Sequence, residues 1–231
     1  MNVIVTQRHI QNDKACWIDS LENNYIKYFS SFGLTVFPLP NVCSDITCFV
    51  DAVKPLGVIL SGGGDVDAKR YGQKNLKTHA VSTYRDDTES KLLHLSISRN
   101  IPVLGICRGM QFINVFFKGK LIEINNSTSP LIHSPNVRHK IELIDQKLIH
   151  LYLKNECITN SYHNKGILEN TVGENINPFS LYRDIGLVEG LYHEKYPIAG
   201  IQWHPERNKS CTRLDEILIN SFIKRELYWK I

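Results

Sequence analysis

The chain has 231 residues, of which 42% are hydrophobic and 22% charged, so its length suits one domain over residues 1–231 with a sizeable core. The formal net charge is +4, but the lysines and arginines are scattered. Since no basic stripe or aromatic-basic module is present, the composition argues against a nucleic-acid-binding protein.

Short apolar segments alternate with longer helical ones in the first half of the chain. The predicted strands are 2–6, 35–37, 56–60 and 103–106, and the predicted helices are 19–32, 86–99 and about 108–117. Gly33 ends the first of these helices. Continuous apolar strands that alternate with helices predict an α/β fold with a mainly parallel central sheet, flanked by helices on both faces.

The second half of the chain has a different pattern. Residues 119–190 contain short segments separated by turns, which predicts a small antiparallel excursion from the parallel core. Residues 198–202 are typical of a late central strand, and 214–228 of a closing helix. The polar, turn-rich stretch 124–135 is predicted to be a mobile surface loop.

Targeting and cysteine patterns indicate a cytoplasmic protein. The opening MNVIVTQ is too short and polar for a signal peptide, and no apolar run approaches the ~20 residues that span a bilayer. The six cysteines show no paired metal-type spacing, so we expect free thiols, five of them packing residues. The remaining cysteine, Cys107, lies in a context that suggests chemistry.

Cys107 stands between Gly105 and Gly109, after a predicted buried strand and before a predicted helix. This Gly-x-Cys-x-Gly pattern is the cysteine form of the nucleophile elbow, a sharp turn that needs small neighbours. It would place the thiol at the carboxyl edge of the sheet and near a helix N-terminus, which favours the thiolate. The alternative is a buried cysteine in a tight strand-to-helix turn.

Two further strand ends carry polar groups that suit acyl transfer. His204 and Glu206 follow the predicted strand 198–202 and are separated by Pro205, so a base and the carboxylate that orients it can be held in register. The run of glycines at 62–64 can direct backbone amides into a cleft, as an oxyanion hole requires. A polar strand cap and a flexible turn are the respective alternatives.

The chain resembles the class I glutamine amidotransferases, and more narrowly their free-standing γ-glutamyl hydrolase branch, which includes γ-glutamyl-γ-aminobutyrate hydrolases. The segments that carry this resemblance are SGGGDVD (61–67), RDDTE (85–89), GICRGMQFIN (105–114), NSYHN (160–164) and GIQWHPE (200–206). The resemblance implies a catalytic triad of Cys107, His204 and Glu206 and a γ-glutamyl thioester intermediate. It implies no metal or organic cofactor.

The resemblance also implies the surrounding site. The backbone N–H groups of Gly63 or Gly64 and of Arg108 would form the oxyanion hole. The glutamyl group would be bound by Gln111, one helical turn beyond Cys107, and by the backbone around Asn160, Ser161 and Tyr162. The RDDTE segment is explained equally well as a charge cluster at a helix N-terminus. For His163, a contact with the leaving group and a cap on a loop are the two alternatives.

The leaving group is the least defined part of the expected substrate, which is a small molecule. The opening 29 residues are similar to family members that hydrolyse a γ-glutamyl nucleotide amidate in capsule biosynthesis, but no P-loop or dinucleotide fingerprint is present. Candidate diphosphate contacts are Arg8, His9, Lys165 and Arg183, and exposed surface charge explains each of them as well.

Two other functions remain open at this point. A glutaminase subunit that delivers ammonia to a synthetase would share the triad, whereas the GGGD, RDDTE and NSYH segments favour the free-standing branch. A non-catalytic binding module would usually lack a triad member. The sequence allows a homo-oligomer but gives no information on its symmetry.

Overall fold

The computed structural model describes residues 1–73, 78–124, 137–207 and 211–230. The strands are β1 Asn2–Thr6, β2 Arg8–Gln11, β3 Trp17–Ser20, β4 Thr35–Leu39, β5 Gly57–Leu60, β6 Val103–Ile106, β7 Ile122–Glu123, β8 Val137–Leu143, β9 Glu156–Ser161, β10 Lys165–Gly166, β11 Ile176–Tyr182, β12 Leu187–His193 and β13 Ile198–Ile201. The helices are α1 Asn23–Ser31, α2 Ile46–Val53, α3 Thr83–Ser98, α4 Arg108–Phe116, α5 Gln146–Tyr152 and α6 Thr212–Lys224.

Within these ranges, nine strands form one sheet in the order β4-β1-β5-β6-β13-β12-β11-β8-β9. The first five of these strands are parallel to one another. All residues of β5, β6 and β13 are buried, because α2, α3 and α4 pack on one face of the sheet and α1 and α6 on the other. The predicted mainly parallel α/β fold with helices on both faces is confirmed.

The antiparallel part of the protein extends the same sheet. Strands β12, β11, β8 and β9 continue from β13, each antiparallel to its neighbour. The predicted antiparallel excursion therefore widens the central sheet instead of forming a separate unit. Two short antiparallel pairs, β2 with β3 and β7 with β10, lie outside it.

Several sequence predictions need correction. The helix predicted at 19–32 begins only at Asn23, and Trp17–Ser20 pairs with Arg8–Gln11 as a strand. The short helices α2 and α5 were not predicted, although Asp45 and Asp145 cap them with side-chain hydrogen bonds. The loop predicted at 124–135 falls almost entirely outside the described residues.

The six cysteines are free, as predicted. The prediction that five of them are packing residues is wrong for Cys16 and Cys48, which are exposed. Cys157 is buried, and Cys43 and Cys211 pack against the core from partly exposed positions.

The carboxyl ends of β5, β6 and β13 meet at one edge, because the three strands are parallel neighbours. The glycine turn (residues 61–64), Cys107 and His204 follow these three strands. No helix in the described part of the chain combines the length and apolar character needed to cross a bilayer.

Candidate active site

Cys107 occupies the turn between β6 and α4 in a strained backbone conformation. Its φ is 53° and its ψ is −106°, a region that side chains other than glycine rarely adopt. Its backbone N–H donates to the carbonyl of Ile201 over 2.8 Å, which ties the turn to the end of β13. The cysteine is therefore held rigidly at the edge of the sheet, in the position expected of a nucleophile elbow.

The two flanking glycines are required by crowding. A Cβ atom at Gly109 would lie 2.1 Å from the carbonyl oxygen of Leu60, and one at Gly105 would lie 2.6 Å from the backbone nitrogen of Met110. Both distances are shorter than any van der Waals contact. The Gly-x-Cys-x-Gly spacing thus lets α4 pack directly against β5 and β6.

His204 and Glu206 form the second part of the site. The ring Nδ1 of His204 lies 2.6 Å from Oε1 of Glu206, and the imidazole is close enough to the Cys107 side chain for the two to interact electrostatically. All three residues are at least nine-tenths buried. A thiol, an imidazole and a carboxylate are therefore in line, which is the geometry that activates a cysteine nucleophile.

The electrostatics of this pair favour a protonated imidazole. Burial lowers the pKa of His204, but the charges of Glu206 and Cys107 and the hydrogen bond to Glu206 outweigh it, so that the pKa is raised to about 10. At neutral pH the ring consequently holds a proton that it can donate to a departing nitrogen.

Asn160 and Tyr162 support His204 from β9 and the turn after it. The Asn160 side chain donates to the His204 carbonyl over 2.8 Å and accepts from the His204 N–H over 2.9 Å. The Tyr162 ring meets the imidazole edge to face, with centroids 5.5 Å apart. Backbone and ring of the histidine are therefore both fixed.

The glycine turn lies against the same imidazole. A Cβ atom at Gly62 would lie 2.7 Å from Cε1 of His204, so only glycine fits there. The N–H of Gly62 donates to the hydroxyl of Tyr25, and that of Asp65 to the carbonyl of His79.

The amides of Gly63 and Gly64 are the remaining donors of this turn. Both residues have positive φ, and within the described residues no protein group accepts from either N–H. The carbonyls of Gly62 and Gly63 both accept hydrogen bonds from the guanidinium of Arg85. Since trans peptides direct N–H opposite to C=O, the amides of Gly63 and Gly64 point away from Arg85.

A cavity of about 420 Å³ opens above Cys107. It is lined by Gly63, Gly64, Asp65, His79, Ala80, Cys107, Arg108, Gln111, Tyr162, His163, Asn164, Lys165, His204 and Arg207. The structure thus brings the predicted triad nucleophile and base, the predicted oxyanion donors, Gln111 and Tyr162 to one cavity. Glu206 lies behind His204, where an orienting carboxylate belongs.

Other predicted contacts occupy different places. Asn160 and Ser161 do not line the cavity, and the side chain of Asn160 holds the His204 backbone instead. The side-chain Nε2 of Gln111 donates to the carbonyl of Lys165 and to Gln202. Arg183 pairs with Glu142 on a half-exposed surface and does not line the cavity.

Among the predicted basic contacts, Lys165 lines the cavity itself. Arg8 and His9 lie in an adjoining crevice beside Gly63. Arg207, which sequence reasoning missed, also lines the cavity: its guanidinium lies 4.5 Å from the Tyr162 ring centroid and 2.8 Å from Glu22. Its position directly after the HPE segment was the available signal.

The fold and the site together define a hydrolase of the glutamine amidotransferase-like class. A family model described as peptidase C26 matches residues 3–206, so the chain belongs to the peptidase C26 family. The predicted class and the prediction of an enzyme are thereby confirmed.

Two curated relatives and one solved structure illustrate this membership. A putative glutamine amidotransferase of Schizosaccharomyces pombe is 35% identical in a matched region that covers 65% of this chain and 61% of that protein. The γ-glutamyl-CDP-amidate hydrolase of Campylobacter jejuni is 27% identical over 93% of this chain and 94% of its own. A glutamine amidotransferase from Thermotoga maritima has the same fold, with a TM-score of 0.60 at 14% identity over 97% and 83% of the two chains.

Proposed function

We propose that this protein is a cysteine hydrolase that cleaves a γ-glutamyl amide bond. The observation that carries the proposal is the line from Cys107 through His204 to Glu206 at the floor of an open cavity. Family membership supports the reaction class, and the name of the Campylobacter relative supports the γ-glutamyl bond.

The geometry suggests the following steps. The Cys107 thiolate attacks the γ-carbonyl carbon, and the tetrahedral oxygen is stabilised by the amides of Gly63 or Gly64 and of Arg108. Each such donor lowers the barrier by roughly 3–4 kcal/mol. His204 protonates the departing nitrogen, and a γ-glutamyl thioester remains. Water, deprotonated by His204, then attacks the thioester and releases glutamate.

Two basic side chains in the cavity wall, Lys165 and Arg207, favour a substrate with more than one negatively charged group. Lys165 is 2% exposed, and its Nζ has no hydrogen-bond acceptor in the described part of the chain; the nearest carboxylate oxygen, of Glu123, is 3.8 Å away. A buried ammonium without an acceptor is unfavourable, so an anionic ligand group would stabilise it. Since Gln111, one helical turn from Cys107, contacts the Lys165 carbonyl, we assign Lys165 to the α-carboxylate of the glutamyl group.

Arg207 lines the same cavity beside Tyr162, whose ring meets His204 edge to face, and we assign Arg207 to the leaving group. A guanidinium suits a phosphoryl group. The leaving group we propose is therefore a nucleoside diphosphoramidate, with γ-glutamyl-CDP-amidate as the substrate and cytidine diphosphoramidate as the product used in capsule modification. The similarity to the Campylobacter enzyme supports this choice over γ-glutamyl-γ-aminobutyrate.

The test is a panel of γ-glutamyl-CDP-amidate, γ-glutamyl-γ-aminobutyrate and glutamine, with glutamate release as the readout. We expect the highest kcat/KM for the CDP-amidate without any added protein. Cys107→Ala should abolish turnover and keep the circular dichroism spectrum, whereas Cys16→Ala, which changes an exposed thiol outside the cavity, should match the wild type. If glutamine is the only substrate cleaved, and only when a synthetase is added, the protein is a glutaminase subunit. If Cys107→Ala is active, the proposed mechanism is wrong.

A further inference from the structure

The RDDTE segment at the start of α3 contributes nothing to the reaction as described so far, yet three of its four charged side chains, those of Arg85, Asp86 and Glu89, are buried next to the site. Arg85 is 3% exposed and directs its guanidinium at the glycine turn. It donates to the carbonyl of Ser61 over 2.6 Å, to that of Gly63 over 2.7 Å and to that of Gly62 over 3.3 Å. Three consecutive carbonyls of the turn are thus bound by one planar side chain.

The second predicted oxyanion donor, the amide of Arg108, belongs to a residue bound by the same segment. The Arg108 guanidinium is 2% exposed and donates to Glu89 and to Asp86, both fully buried. Glu89 in turn accepts from the Nε of Arg85 over 2.9 Å through its other oxygen. One carboxylate therefore joins the arginine that holds the glycine turn to the arginine that begins α4.

Thr6 fastens this arrangement to the sheet. The Thr6 hydroxyl donates to the Glu89 carboxylate over 2.8 Å, and the hydroxyl oxygen of Thr6 accepts from the N–H of Ser61 over 3.0 Å. We call four side chains the buried charge network: Arg85, Asp86, Glu89 and Arg108. The network contains two positive and two negative groups.

Stability alone is a poor explanation for such a network. Removing charged groups from water costs several kcal/mol for each, and a buried set of ion pairs often stabilises a fold no more than apolar residues of the same size. The network does fix orientation, because a guanidinium donates in a rigid plane. An oxyanion hole needs this kind of constraint, since its donors must lie about 2.7–3.1 Å from the oxygen that forms in the transition state.

We propose that Arg85 and Glu89 are positioning residues of the oxyanion hole. Arg85 orients the peptide planes of Gly63 and Gly64 so that their N–H groups face away from the network, and Glu89 sets the distance between this turn and the amide of Arg108. The proposal rests on the acyl-transfer function proposed above, and neither residue touches the substrate.

The test compares two kinds of reaction of Cys107, those that pass through an oxyanion and one that does not. Hydrolysis of γ-glutamyl p-nitroanilide and acylation by p-nitrophenyl acetate both pass through an oxyanion, whereas alkylation by iodoacetamide needs only the thiolate. In Arg85→Met and Arg85→Lys we expect kcat for the anilide and the acylation rate to fall about 100-fold, the loss typical of one oxyanion donor or of a displacement of about 1 Å. KM should stay within about threefold, and the alkylation rate and its pH profile should not change.

Two further variants, Glu89→Gln and a matched control, make the outcome decisive. Arg85→Lys retains the positive charge and Glu89→Gln retains the shape, so these two variants keep the test valid if Arg85→Met fails to fold. Arg99→Met is the matched control, because Arg99, which follows the other end of α3, pairs with the exposed Asp51 and with no member of the buried charge network in the described residues. It should keep kcat within about threefold of the wild type.

If the alkylation rate of the Arg85 variants falls in parallel with their hydrolysis rate, Arg85 only maintains the fold of the site, and the proposal is overturned. An unchanged hydrolysis rate in Arg85→Lys would also overturn it. If the wild type is acylated by p-nitrophenyl acetate but cleaves no γ-glutamyl amide, the proposed substrate is wrong while the role of Arg85 is still tested by the ester.

Discussion

Replacing Glu206 with glutamine removes the negative charge beside His204 while it keeps the shape of the side chain. In the structure the carboxylate oxygen lies 2.6 Å from Nδ1 of His204, and both side chains are almost fully buried. Burial lowers the pKa of His204, and Glu206 is the largest of the groups that raise it to about 10. The substitution therefore acts on the protonation of the imidazole more than on the packing.

The size of the effect follows from the charge that is lost. Two unit charges about 4 Å apart attract by ~4 kcal/mol at an effective dielectric constant of ~20, which corresponds to about three pKa units. The pKa of His204 should then fall from about 10 to about 7 in Glu206→Gln. Because a raised pKa favours the imidazolium, the wild-type ring keeps its proton up to about pH 10, whereas the variant loses it from about pH 7 upwards.

The assay is the pH dependence of kcat/KM for a γ-glutamyl anilide from about pH 6 to about pH 10.5. We expect the alkaline limb to move down by about three pH units, and the rate at about pH 8 to fall about tenfold, because one pH unit above its pKa only about a tenth of the imidazole keeps its proton. Glu216→Gln, which changes an exposed carboxylate, is the control. An alkaline limb that stays in place would refute the assignment of Glu206 as the group that keeps His204 protonated.

Two further predictions follow from the same site. Gly109→Ala forces a Cβ atom to 2.1 Å from the Leu60 carbonyl, so the free energy of unfolding should fall by about 1–3 kcal/mol in urea denaturation and kcat should fall with it. The control is Gly72→Ala, which measures backbone strain without crowding, because φ is +76° there and no atom of the described residues other than its chain neighbours would lie within 4 Å of the new Cβ. Lys165→Met should lower kcat/KM about 10–100-fold for γ-glutamyl and glutaryl p-nitroanilides, which carry the carboxylate. The kcat/KM for 4-aminobutyryl p-nitroanilide, which lacks it, should not change. Equal losses for all three substrates would exclude the assignment of Lys165 to the carboxylate.

The sequence was most informative where a function depends on neighbouring residues. Cys107 and its two glycines lie within five positions, and His204 and Glu206 within three, so a local pattern contains the whole chemical requirement. The strand Trp17–Ser20 illustrates the opposite case. Its pairing partner, Arg8–Gln11, determines its conformation, and the helical spacing that begins near it belongs only to the helix that starts at Asn23.

Arg85 shows why the supporting residues could not be read from the pattern. Its i,i+4 spacing to Glu89 is visible in the sequence, but that spacing is typical of any surface helix. Its decisive partners are backbone carbonyls 22 to 24 residues earlier, and a carbonyl has no sequence signature. The contact of the Asn160 side chain was missed for the same reason, because its partner is the backbone of a residue 44 positions later.

The topology explains why these distant segments come together. Strands β5, β6 and β13 are adjacent and parallel, and Ile201 lies level with Ile106, so the glycine turn, Cys107 and His204 emerge side by side from one edge. The sheet fixes only where each segment starts, however, and not the direction of its amides or rings. Direction comes from a separate set of contacts for each segment: glycine crowding for Cys107, the paired Asn160 bonds for His204 and the Arg85 guanidinium for the turn. Because these contacts differ, a substitution in one of them should impair one step of the reaction while the other groups keep their positions.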